Sequence, residues 1–153
     1  MPNGFKWLSF GSMSLVYATM ILGVYLSSIH QSLSCSEWPL CPNGFFKPPE
    51  HNYLVEYFHR LFVVFTTCTI YATSVFAYIR IKRMQHLTLL AAIVVSIQIL
   101  IGALVVTSRL DIRFVSIHLP IGVTLFGITL LTFLMYMKRL PTGADNSTLD
   151  NSN

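Results

Sequence analysis

Charge is what this sequence has least of. Only 10% of its 153 residues are Asp, Glu, Lys or Arg, while 54% are apolar. An ordinary soluble domain carries about 25% charged residues. With a mean hydropathy of +0.62, one domain of this length cannot hide its apolar surface in a water-soluble core, and lipid is the solvent it implies. The sequence pI of 9.1 does not signal a nucleic-acid partner, because the basic residues are not interleaved with exposed aromatics on any polar stretch. They stand at the ends of apolar runs, where Lys and Arg anchor membrane helices. Cysteine is scarce as well. There are three, with no Cys-x-x-Cys and no histidine or second cysteine pair to complete a zinc set. Strand-like alternation is missing, which argues against a β-barrel.

What remains is four long apolar runs, at about residues 8–29, 54–79, 87–108 and 114–137. Each has roughly the 20 residues that a helix needs to cross about 30 Å of hydrocarbon. The expected fold class is therefore all-α: a polytopic membrane protein built as a four-transmembrane-helix bundle over residues 1–140, with an outer loop at 30–53. The first run is too long for the h-region of a signal peptide, and no small-x-small cleavage site follows it cleanly. Residues 141–153 are polar, lack apolar periodicity and are expected to be a disordered tail. Arg80, Lys82 and Arg83 between the second and third runs, and Lys138 and Arg139 after the fourth, place those ends and both termini on the cytoplasmic side of the cell membrane. Arg109 and Arg113 in the second outer loop weaken that bias without reversing it. Asn146-Ser147-Thr148 matches a glycosylation acceptor, but on a cytoplasmic tail it is a chance match.

Ionisable residues inside a membrane are costly and are functional candidates by default. Here they are Glu56, His59, Arg60 and His118. His59 lies about five residues into the second helix and His118 about four into the fourth, which puts both roughly 6–8 Å below the outer surface. Two imidazoles at one level on helices running the same way suit the axial positions of a haem iron; each alone could equally hydrogen-bond a neighbouring helix. Glu56 is one turn before His59 and shares its face. Arg60 is expected to point elsewhere, either snorkelling to a haem propionate or lipid phosphate or simply anchoring the interface. Cys35 and Cys41 flank Trp38-Pro39 in the outer loop, where a disulfide is permitted; a structural disulfide and a redox-active pair both stay open. Cys68, within the second helix, is expected to pack as a small apolar residue. His51 and His86 are expected to be solvated, and His30 could approach the site from above.

These residues, taken in order, resemble the haem A synthase family. The resemblance rests on Cys35-x5-Cys41 around Trp38-Pro39-Leu40, on Glu56-x-x-His59-Arg60 opening the second helix, on Gln98-Ile99-Leu100-Ile101-Gly102 in the third, and on a lone His118 opening the fourth. It covers about residues 20–130. Familiar members have eight helices in two similar halves, and this chain is similar to the amino-terminal half and to short archaeal forms. The resemblance implies oxidation of the C8 methyl of haem O to a formyl group, through successive hydroxylations and loss of water from a geminal diol. It also implies haem B as cofactor, haem O as substrate or both, with His59 and His118 as iron ligands, Arg60 as a haem contact and Glu56 as the acid–base group. An external electron donor, a homo-oligomer (a dimer or higher), and contact with a haem O synthase or a terminal oxidase are implied partners. Two rivals remain. A b-type cytochrome subunit would use the same histidines and leave Glu56 incidental. A quinone-coupled thiol oxidoreductase would use Cys35 and Cys41, although the second cysteine pair such chemistry usually needs is missing.

Overall fold

Each apolar run folds as one helix. The computed structural model describes residues 2–29, 35, 38 and 54–138. They form α1 (Pro2–Ser28), α2 (Leu54–Arg80), α3 (Gln85–Thr107) and α4 (Ile112–Met137), and no strand occurs among the described residues. The helices have 27, 27, 23 and 26 residues; at about 1.5 Å per residue, each is longer than the roughly 30 Å hydrocarbon core. The chain is a multi-pass membrane protein. α1 starts at Pro2 rather than near Leu8, since proline is well tolerated at a first helical position and Lys6 lies over the Trp7 ring at 5.7 Å. α4 starts at Ile112, so Arg113 belongs to its first turn and not to the loop.

Contacts run from α1 to α2, α2 to α3, α3 to α4 and α4 back to α1. This ring leaves α2 and α4 diagonally opposed. The burial pattern is inverted relative to a soluble bundle. Large apolar side chains point outward, with Trp7 66% and Ile112 73% exposed, whereas Ser9, Ser12, Thr66, Thr73, Thr88, Thr129 and Thr132 are buried. Small residues let helices approach closely where lipid gives no hydrophobic drive for association. The hydroxyls stay satisfied by bonding back to their own helices, as Thr73 does to the Thr69 carbonyl and Thr129 to that of Leu125. Ser12 and Thr73, at 2.9 Å, and Thr19 and Thr66, also at 2.9 Å, link α1 to α2.

The interior is layered. At the end holding the start of α1 and the close of α4, Phe5, Ala77, Met84 and Tyr136 form an apolar plug. Val16, Ile70, Ala91, Ala92, Val95 and Leu125 make the central core. α2 reaches α3 through a 3-10 turn at Lys82–Met84, and Lys82 and Arg83 remain exposed there. α3 reaches α4 through a tight turn in which Arg109 and Leu110 take φ values of 55° and 67°. Their amides bond the carbonyls of Val106 and Val105 at 3.1 and 2.9 Å, the crossed pattern that closes a helix with left-handed residues. Asp111 then caps α4, accepting from the Arg113 amide at 2.9 Å. The Arg113 side chain and amide hold the Asp111 carboxyl down at about 2.

Candidate functional site

The site builds from helix spacing at the end opposite the plug. From the observed helix starts, His59 lies about 7.5 Å and His118 about 9 Å along α2 and α4, so the matched level read from the sequence holds within about one residue's rise. Each ring sits against a glycine of the preceding helix. A Cβ added at Gly23 of α1 would stand 3.2 Å from His59 Cε1, and one at Gly102 of α3 would stand 3.2 Å from His118 Cε1. Both contacts are tighter than ordinary packing, so only glycine leaves room for the rings where they are. One turn before Gly102 comes a second partner of His118: Gln98 Nε2 lies 3.2 Å from His118 Nε2 while donating to the His118 carbonyl at 3.0 Å. The α1–α2 and α3–α4 hairpins thus repeat one device, glycine against histidine.

Among the described residues, three buried side-chain polar atoms have no hydrogen-bond partner: His59 Nδ1, His118 Nδ1 and Gln98 Oε1. A native interior leaves few such atoms, and a cluster of them in one place marks a site. No group of three or more His, Cys, Asp or Glu side chains gathers among the described residues. The ligating chemistry on offer is two imidazoles.

Above His59 the start of α2 grips the loop. Glu56 is 3% exposed. Its Oε2 accepts from the Cys35 amide at 2.7 Å, and its Oε1 pairs with Arg60 at 2.6 Å. The same Arg60 nitrogen donates to the Cys35 carbonyl at 2.9 Å. The backbone of Cys35 is therefore held at both its N–H and its C=O by one ion pair. This corrects the expectation that Arg60 points away from Glu56: the two are four residues apart on one helix face. Cys68 lies on the exposed face of α2. His86 is exposed, as expected. Cys41, His30 and His51 lie outside the described residues, as do Arg139 and the tail at 141–153.

A profile of the cytochrome oxidase assembly protein family matches residues 46–151. The chain belongs to that family. It is 28% identical over 135 residues to the heme A synthase of Macrococcus caseolyticus, a match covering 84% of this chain and 44% of that protein. With the heme A synthase of Bacillus licheniformis the identity is 31% over 134 residues, again 84% of this chain and 44% of the relative. The chain is also 26% identical over 114 residues to the protoheme IX farnesyltransferase of Halobacterium salinarum, covering 73% of this chain and 26% of that protein. It spans less than half the length of these curated relatives. The family placement agrees with the resemblance read from the motifs. Sequence reading passed over Gly23, and it gave Gln98 and Gly102 no role. The available signal was a glycine five residues before the end of each odd-numbered helix.

Proposed function

We propose that this chain is a haem A synthase of the cell membrane, oxidising the C8 methyl of haem O to a formyl group. The observation that carries the reading is the paired setting of His59 and His118, each at one level on a diagonal helix and each seated on a glycine. The residues fit a haem, haem B as cofactor or haem O as substrate: two imidazoles, buried ring nitrogens without partners, and no competing ligand cluster among the described residues. When bound, such a haem would supply redox-active iron for methyl oxidation, with dioxygen as the oxidant and an external donor providing the electrons that each hydroxylation consumes. His59 and His118 would hold its iron. Arg60 gives the positive charge for a propionate. Glu56 is the proton-handling carboxylate, and because both of its oxygens are engaged, proton exchange there requires the grip on Cys35 to loosen. Cys35 pairs with Cys41 to close the loop above the site.

The likeness to protoheme IX farnesyltransferases supports a farnesyl-bearing haem as substrate and an enzyme of that kind, a haem O synthase, as the neighbour that hands it over, with a terminal oxidase as recipient. A second copy of this chain supplies the other half of the site-bearing bundle, as a dimer or higher homo-oligomer. Both termini are cytoplasmic.

A second reading, the b-type cytochrome subunit, draws on one observation: the Glu56 carboxylate is already committed to Arg60 and Cys35. Co-expression with a haem O source, followed by chromatography of the extracted haem, separates the two. The synthase yields haem A. Unchanged haem B with a normal spectrum would replace it with the cytochrome, and a haem-free protein would return the question to the cysteines.

A further inference from the structure

Gln98 stands out on α3, a helix with no Asp, Glu, Lys or Arg. Its amide nitrogen makes both of its bonds to a single residue, the Nε2 and the backbone carbonyl of His118. The carbonyl bond fixes which way the amide points, because only the NH2 end can donate to it. Its second hydrogen then faces His118 Nε2, which must accept. His118 is thereby held with a lone pair on Nε2 and its proton on Nδ1, where no partner meets it. A lone pair on Nε2 is what a ligating imidazole presents.

The packing that permits this is reciprocal. His118 lies over Gly102, and Gln98 lies over Gly122, whose added Cβ would stand 3.1 Å from Gln98 Nε2. Gln98 and Gly102 are one turn apart on α3, and His118 and Gly122 are one turn apart on α4. The carboxamide therefore fits its slot closely, yet it leaves its own Oε1 buried and unpaired. An unmet buried acceptor is costly, so this position is held less firmly than a satisfied one.

We propose that Gln98 is a displaceable cap on His118, a positioning residue that presets the ligating nitrogen and must leave it before iron can bind there. The proposal rests on His118 being a haem ligand. It makes the His118 position an exchangeable one. Gln98→Leu keeps the bulk and removes the cap. Gln98→Glu, titrated at a pH high enough to ionise its carboxyl, cannot donate, so His118 must instead donate from Nε2 and loses its free lone pair.

Haem titrated into the detergent-solubilised, haem-free protein reads the difference by stopped-flow absorbance, with thermal unfolding confirming that each variant folds. Gln98→Leu should bind haem roughly fivefold faster, the scale of one ordinary hydrogen bond, with a larger six-coordinate low-spin fraction and less carbon monoxide binding. Gln98→Glu should move all three readouts the other way. A purely structural role would shift both variants in the same direction, and that outcome, or no change in either, would overturn the cap. His118→Ala distinguishes the two levels of failure. If it leaves the haem spectrum unchanged, the ligand reading falls and the cap with it; if it removes the six-coordinate form while Gln98→Leu behaves as wild type, only the cap falls.

Discussion

Gly23 and Gly102 set how close each histidine lies to the neighbouring helix, and their exchange is a sensitive probe of the site. Gly102→Ala would place a Cβ 3.2 Å from His118 Cε1, so the ring must give by a few tenths of an ångström. The expected result is a weakened or high-spin haem complex with nearly unchanged thermal stability, measured by absorbance and by calorimetry. Glu56 is a harder case, because one carboxylate has to grip the loop and handle protons. Glu56→Gln removes the negative partner of Arg60 while an amide oxygen remains to accept from Cys35. Removing one partner of a well-buried ion pair costs about 3–5 kcal/mol; Arg60 keeps 16% side-chain exposure, which lowers that cost. The synthase reading expects the variant to retain haem with a near-normal spectrum while losing most conversion of haem O to haem A. Conversion that falls only in step with stability would leave Glu56 as a clamp.

At the scale of elements, the α3–α4 turn holds two left-handed residues that are not glycine. A side chain in that conformation costs roughly 1–2 kcal/mol, so Leu110→Gly should raise the unfolding midpoint in detergent. A lowered midpoint would mean that the Leu110 side chain contributes more than its backbone strain costs. The α1–α2 pair gives the converse test. Thr73→Val deletes the buried bond to Ser12 at 2.9 Å, for which about 0.6 kcal/mol is typical between membrane helices; a loss of several kcal/mol would mark the hydroxyl layer as cooperative. The helices themselves were legible from hydropathy alone, since α2, α3 and α4 begin within two residues of their apolar runs. The tight turn was not. Neither Arg109 nor Leu110 carries a left-handed signal, and the conformation is imposed by closing α3 onto α4 over four residues, 108–111. The start of α1 was missed because Asn3, Gly4 and Lys6 break the apolar run without breaking the helix.

On the scale of the whole molecule, the histidine level was readable because depth along a helix is simple arithmetic. The partners of those histidines were not, because facing requires knowing how the helices rotate against one another. That is why Gly23, Gln98 and the Glu56–Arg60 grip on Cys35 emerge only from the packed bundle. The exposed basic groups Arg80, Lys82, Arg83 and Lys138 share the plugged end with the start of α1, which supports a cytoplasmic placement of that end. Single cysteines introduced beside Lys82 or Lys138 should resist an impermeant thiol reagent in intact cells, and ready labelling would invert the topology and move the histidine level to the inner leaflet. The central claim is that His59 and His118 together hold one haem, and the absorption spectrum of purified protein tests it most directly. Wild type should show a six-coordinate low-spin haem, and His59→Ala and His118→Ala should each lose most haem or turn high-spin. Full haem occupancy with an unshifted Soret band in either variant would contradict the account.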